Sequence, residues 1–157
     1  MTNPTPRNGI TSPLHWANAP PPAARPSGKT WELIDLRHLS AVRHQARSFL
    51  AGSARNAGAS ADRQQDAVER AVTALDELAS NALRHGRPPT SVELFDNEHS
   101  WLIVAVDTAT TRLPVPATGR PEGQGGYGMY LIADFALAHG THVTGDRKRV
   151  WAQLPKG

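Results

Sequence analysis

The stretch from Ala61 to His85 constrains the fold more than any other part of the chain. No glycine or proline interrupts it. Apolar side chains recur along it at intervals of three and four residues, at Val68, Val72, Leu75, Ala79, Ala82 and Leu83. This spacing predicts a long amphipathic helix. Gly86 is expected to end it as a left-handed stop, and the two prolines that follow prevent its continuation.

Shorter patterns on both sides of this helix predict strands and further helices. Alternating or continuous apolar residues predict strands at 31–36, 91–95, 101–106, 142–144 and 149–154, and helical spacing predicts helices at 39–50 and 125–136. The segment Trp101–Val106 is almost entirely apolar, as expected of a strand buried on both faces. This order predicts an α+β fold, a two-layer sandwich with a mixed, mainly antiparallel sheet and helices on one face.

The first 29 residues differ in composition from the rest. Seven of the 13 prolines lie before Thr30, together with three basic side chains and no acidic one. We therefore predict a disordered, Pro-rich leader over residues 1–29 and one folded domain over residues 30–157. From Trp31 onward acidic and basic side chains are equal in number, so the sequence pI of 9.8 does not indicate a nucleic-acid partner.

The composition excludes several kinds of site and segment. The absence of cysteine excludes disulfides, thiolate metal sites and cysteine nucleophiles. No apolar run approaches the roughly 20 residues that span a bilayer, and the N-terminus lacks the pattern of a secretory signal. We expect a cytoplasmic protein with no membrane partner.

Glu77 and Asn81 are the first candidates for chemistry. Four residues apart on the predicted helix, they lie about 40° apart around its axis and project together. The Asn carbonyl oxygen is a hard ligand suited to Mg²⁺ with substrate phosphates, and a neighbouring Glu can accept a proton from an attacking hydroxyl. The alternative is an ordinary polar flank of a helix.

Asp107 directly follows the buried strand 101–106. A carboxylate in that position costs desolvation free energy unless it meets a hydrogen-bond donor. An exocyclic amino group such as that of adenine is one candidate donor. The alternative is an Asp that caps the turn after the strand.

A glycine-rich run, G-Q-G-G-Y-G, covers Gly123–Gly128 and leads into the helix predicted next. It matches G-x-G-x-x-G, but no strand directly precedes it, so the dinucleotide-binding context is absent. Glycines that open a helix nevertheless expose backbone N–H groups to an anion, and Gly126 and Gly128 would let phosphate approach closely. The aperiodic loop at 108–124 before it is typical of a lid or a binding loop.

Three of these segments together resemble one superfamily. Asp76–Gly86, D-E-L-A-S-N-A-L-R-H-G, resembles the N box of the histidine-kinase-like (GHKL) ATPases, and Gly125–Ile132, G-G-Y-G-M-Y-L-I, resembles their G2 box. Val150–Leu154 is similar to their closing strand. The resemblance covers about residues 31–154 and implies the Bergerat fold. Within the superfamily, the sequence most resembles the stand-alone anti-sigma-factor serine kinases.

The resemblance implies a role for each candidate residue. Asn81 would coordinate Mg²⁺ that bridges the phosphates of ATP, and Glu77 would be the general base for a partner serine. Asp107 would accept a hydrogen bond from the adenine amino group, and residues 108–125 would form the ATP lid. The phosphate-binding residues of the second box would be Gly125, Gly126, Tyr127, Gly128 and Met129. The implied partners are a sigma factor and an antagonist protein that carries the phosphorylated serine.

The sequence departs from the superfamily pattern after Asp107. The usual D-x-G-x-G is replaced by D-T-A-T-T, so that Ala109 stands where the first glycine is expected. An alanine is tolerated there if its φ is negative and strained if it is positive. ATP binding is therefore a firmer expectation than catalysis.

Two functions follow, and they differ in chemistry. One is a serine/threonine protein kinase that regulates transcription through a sigma factor, and the intact Glu77 favours it. The other is a non-catalytic, nucleotide-dependent interaction module, which the missing lid glycines favour. A two-component sensor kinase is disfavoured because no segment is long enough for the helical hairpin that bears the phospho-accepting His. A homodimer paired through the sheet, common in relatives, stays open.

Overall fold

The computed structural model describes residues 16–55, 57–112 and 127–157. These described residues form five strands and three α-helices: β1 (Gly28–Leu33), α1 (Leu39–Ala54), α2 (Ala61–His85), β2 (Thr90–Asp96), β3 (Ser100–Asp107), α3 (Tyr127–Phe135), β4 (Ala138–Thr144) and β5 (Arg147–Pro155). A short 3₁₀ turn at Leu36–His38 leads into α1. The predicted α+β fold is confirmed.

The strands form one sheet in the order β1-β2-β3-β5-β4. Every pairing between these five strands is antiparallel, so the sheet is more regular than the mixed sheet predicted. The crossover that carries α3 connects β3 to β4, and β5 then returns between them. This arrangement places the end of β3 beside the beginning of β5, with Asp107 opposite Lys148.

β3 is the centre of the sheet, and all eight of its residues are buried. Trp101, Ile103 and Ala105 belong to the main core beneath the helices. The alternate residues Leu102 and Val104 belong to a second apolar cluster on the opposite face. The prediction of a strand buried on both faces is therefore confirmed, and the alternation places the Asp107 side chain on the helix side.

Helix α2 is stabilised by a capped N-terminus and by an apolar face that packs in the core. The Ser60 side chain accepts a hydrogen bond from the Arg63 backbone N–H at its N-terminus. At its C-terminus Gly86 has φ −88° and ψ −170°, so it is not the left-handed stop predicted. Glycine is required there for a different reason, because a Cβ would collide with the Ala82 carbonyl oxygen and the Asp107 carboxylate.

Residues 16–27 lie against the sheet, which differs from the disorder predicted for this part of the leader. A parallel bridge joins Asn18 to Thr141 on the edge strand β4, and the indole N–H of Trp151 donates to the Ala19 carbonyl at 2.8 Å. Trp16 is buried, with its ring centroid 4.5 Å from that of His139. This segment, which we call the strap, supplies cover for the second apolar cluster.

Some boundaries also differ from the sequence prediction. Helix α1 extends to Ala54, into a stretch predicted as loop, and β4 begins at Ala138 rather than near residue 142. Among the helices of the described residues, none has the length and apolar character needed to cross a membrane.

Candidate functional site

The second half of α2 lies between α3 and the end of β3, and it carries Glu77 and Asn81 and packs against Asp107. Helix α2 contacts α3, β3, β5 and β2. Glu77 lies on the side of α2 that meets α3, and the helix end at Gly86 packs on Asp107. The structure therefore brings the predicted residues of the two boxes and of the strand end to one side of the domain.

Glu77 is in close contact with Gly128 in the first turn of α3. A Cβ placed on Gly128 would overlap the Cγ and Cδ atoms of the Glu77 side chain. Gly128 is therefore needed for the close approach of the two helices at the Glu77 carboxylate. The sequence predicted that Gly128 would let a phosphate approach closely, and that contact stays a prediction; the neighbour that Gly128 admits in this structure is Glu77.

The Glu77 carboxyl group is half-buried, and its pKa is raised from its ordinary value. Burial is the largest cause, because desolvation disfavours the charged form, and the negative charge of Asp76 raises the pKa further. The positive charge of Arg84 opposes both effects. A carboxyl group with a raised pKa holds a proton more readily than an exposed Glu, as a general base requires.

Asn81 lies one turn after Glu77 on α2 and is half-buried. Among the described residues, none hydrogen-bonds its side-chain amide. The described ranges also contain no cluster of three or more acidic, His or Cys side chains suited to a metal ion. The Asn81 oxygen is thus an available hard ligand of the kind that completes a Mg²⁺ shell with phosphates and water.

Asp107 is the most buried charged residue of the site, with 1% of its side chain exposed. Its Oδ1 atom accepts a hydrogen bond from the Ala109 backbone N–H at 2.7 Å. Its Oδ2 atom is buried without a hydrogen-bond partner and lies 3.5 Å from Lys148 Nζ. One oxygen therefore caps the turn, as the alternative reading proposed, while the other keeps an unused acceptor as the binding reading requires.

Lys148 is a member of the site that sequence reasoning missed. It is the second residue of β5 and lies opposite Asp107 in the pairing of β3 with β5. Only 3% of its side chain is exposed. Its ammonium donates a hydrogen bond to the Arg112 carbonyl oxygen. In the sequence it is only a basic residue near the start of the closing strand. Its place beside Asp107 follows from the pairing of β3 with β5.

The turn that follows Asp107 is well bonded without the glycines of the superfamily pattern. No non-glycine residue in the described ranges has positive φ, so Ala109 is unstrained. The Thr108 backbone N–H donates to the Arg87 carbonyl at 3.0 Å, and the Arg112 N–H donates to the Ala109 carbonyl at 3.1 Å. The replacement of glycine by Ala109 therefore leaves the first part of the loop in an ordinary conformation.

The remaining predicted residues lie in or before α3. The Met129 side chain is fully buried in the main core, to which Ile132 also belongs, so a contact of Met129 with a ligand would be made by its backbone. Tyr127 begins the helix. Gly125 and Gly126, together with residues 113–124 of the predicted lid, lie outside the described residues.

Comparison with known proteins adds a family and a structural likeness. The family described as histidine kinase-like ATPase domain matches residues 34–154. Among solved structures the chain is similar to the Acinetobacter baumannii histidine kinase AdeS, at 11% sequence identity and a TM-score of 0.41. That alignment covers 85% of this chain and 69% of the other. No curated protein matches the chain.

Proposed function

Because the chain belongs to the histidine kinase-like ATPase domain family, we propose that it is an ATP-binding regulatory protein that acts as a serine/threonine protein kinase. Its target is a serine of an antagonist protein, and its regulatory output is the control of a sigma factor. A cytoplasmic location follows from this proposal, since ATP and sigma factors both act there. One observation carries it: the half-buried Glu77 carboxyl group faces the start of α3, one turn from the Asn81 amide, which no described residue hydrogen-bonds.

The residues present fit ATP with Mg²⁺. The unpartnered, buried Oδ2 atom of Asp107 fits an amino group of the base, and the Asn81 oxygen fits Mg²⁺. Asn81 lies five residues before Gly86, which packs on Asp107, so both groups lie along the last turns of α2. ATP with Mg²⁺ would supply the phosphoryl group and neutralise its charge.

Glu77 is proposed as the base that takes the proton from the serine hydroxyl. Its pKa is raised by burial and by Asp76, which brings its proton affinity closer to that of a base acting near neutral pH. Gly128 leaves room for this carboxyl group between the helices. The chain's contribution to phosphoryl transfer is mainly positioning, because that reaction needs little covalent chemistry from the protein.

A non-catalytic, nucleotide-dependent interaction module is the second candidate. The turn after Asp107 favours it, because Ala109 and the Lys148 contact fix a segment that glycines would leave more adaptable. In that case the nucleotide would set the conformation of the domain for a protein partner, and Glu77 would have no proton to accept.

Calorimetry with MgATP tests the binding site first. We expect the wild type to bind and Asn81→Ala to lose at least about tenfold in affinity, equivalent to about 1.4 kcal/mol. Asn97→Ala is the matched control, because Asn97 lies in the β2–β3 turn, where its side chain bonds Ala23 and Arg25. Equal affinity in wild type and Asn81→Ala would contradict the assignment of Asn81.

Transfer of labelled phosphate from ATP to purified candidate antagonist proteins separates the two functions. We expect Glu77→Gln to retain ATP affinity within about threefold and to lose at least about 100-fold in transfer rate, as for removal of a general base. Nucleotide binding by the wild type without transfer to any serine protein of the panel would favour the interaction module instead.

A further inference from the structure

Lys148 is a buried charge to which the proposed function assigns no role. Its side chain is 3% exposed, and it reaches from β5 to the end of β3. A lysine is rarely buried to this extent without a compensating partner, because removal of an ammonium group from water is costly. The partners here are the Asp107 carboxylate and the Arg112 carbonyl oxygen.

The two contacts of Lys148 differ in kind. Nζ donates a hydrogen bond to Arg112, whereas its distance of 3.5 Å from Asp107 Oδ2 is an ion pair without a hydrogen bond. The ammonium therefore supplies charge to the carboxylate but leaves the lone pairs of Oδ2 unused. The same lysine also ties the turn at 108–112 to β5, beside the end of β3 from which Asp107 projects.

The other oxygen of Asp107 is already committed. Oδ1 accepts from the Ala109 backbone N–H, which fixes the rotation of the carboxylate. Gly86 packs against the same group with no side chain between them. Asp107 is thus held in one orientation, with one buried acceptor remaining.

We propose that Lys148 is a positioning residue for base recognition: its ammonium ties the turn at Arg112 to β5 and holds the Asp107 carboxylate so that Oδ2 accepts a hydrogen bond from a 6-amino purine. This inference rests on the proposed function and deepens it. Without this ammonium, the Arg112 carbonyl oxygen loses its hydrogen-bond donor and the Asp107 carboxylate loses its neighbouring charge. A carboxylate that is no longer held in this orientation does not present Oδ2 to the 6-amino group, so it no longer distinguishes a 6-amino purine from a 6-oxo purine.

The test compares ATP with ITP, which carries an oxygen in place of the 6-amino group. We expect the full-length wild type to prefer ATP by at least about tenfold, because a buried acceptor opposite a carbonyl oxygen is left unpaired. Lys148→Met should lose about tenfold in ATP affinity while its ITP affinity changes by less than about threefold. Lys148→Arg should restore most of the preference, since it keeps the positive charge. Lys29→Met is the control for loss of a surface charge, because Lys29 is exposed on the edge strand β1.

The outcomes separate the two levels of the proposal. An unchanged ATP/ITP ratio in Lys148→Met, or an equal loss of both nucleotides, would overturn the role of Lys148 in recognition and leave the ATP site intact. Failure of the wild type to bind either nucleotide would overturn the proposed function together with this inference. If Lys148→Met does not fold, Lys148→Gln removes the charge while keeping a donor for the Arg112 carbonyl, and the same ratio is decisive.

Discussion

The two ends of the candidate site are built differently. At the end of β3, Asp107 and Lys148 are almost fully buried and are tied to the turn at Ala109 and Arg112. Along α2, Glu77 and Asn81 are only half-buried, and no hydrogen bond to either side chain is formed within the described part of the chain. The charged groups at the strand end are bonded within the fold, whereas the two polar side chains at the α2 end form no hydrogen bonds within the described residues.

The two ends of the site are expected to differ in their effect on folding stability. Charges at the strand end compensate one another, so each is needed while the other is present. The Glu77 carboxyl group instead has a raised pKa, which means that its charge costs folding free energy. Unused polar groups that reduce stability are expected at sites of function rather than in a framework. The comparison therefore supports the proposal that catalysis takes place at the α2 end and base recognition at the strand end.

The largest effect on stability is expected from Asp107→Ala. Loss of the carboxylate leaves the Lys148 ammonium buried without a counter-charge, which typically costs about 3–5 kcal/mol. Urea unfolding followed by circular dichroism measures the change. The double variant Asp107→Ala/Lys148→Met should recover much of the loss because no buried charge is left unpaired. A loss that is the same in the single and double variants would contradict a coupled pair.

Gly128→Ala should have the next largest effect, on packing between α2 and α3. The new Cβ overlaps the Glu77 side chain, and relief of such overpacking typically costs about 1–3 kcal/mol. Combination with Glu77→Ala removes the atoms that collide, so the double variant should be more stable than the sum of the single effects predicts. Additive effects in this double-mutant cycle would show that the two residues are not in contact in solution.

Parts of the site that depend on a single segment of the chain could be predicted from the sequence, and parts that depend on contacts between distant segments could not. Helix α2, with Glu77 and Asn81 on one side, follows from periodicity within a single segment, which is the strongest signal a sequence contains. The contact between Asp107 and Lys148 depends on the register of two strands far apart in the chain, which no local pattern specifies. Gly86 shows an intermediate case: the helix end was predicted, but the reason for glycine was the tertiary contact with Asp107.

The strap shows how tertiary contacts change the outcome for a proline-rich segment. Its composition favours disorder because it can bury little surface of its own. The outer face of the sheet provides the missing partner, since Trp151 bonds Ala19 and the edge of β4 pairs with Asn18. Neither partner is adjacent in sequence, so composition alone could not predict this docking.

The smallest expected effect is the pH dependence of stability that Glu77 contributes. Its pKa is raised in the folded state, so the folded protein binds the proton more tightly than the unfolded chain does. Stability is therefore unaffected below the ordinary pKa of a Glu and decreases as the pH rises through the raised value.

Glu77→Gln removes this decrease, so the variant should exceed the wild type in stability at pH 7.5 and match it near pH 3.5, as measured by urea unfolding at both values. Glu98→Gln is the control, since Glu98 is exposed in a salt bridge with Arg25. A Glu77→Gln variant less stable than the wild type at pH 7.5 would mean that the framework depends on this carboxylate, which would remove the contrast between the two ends of the site.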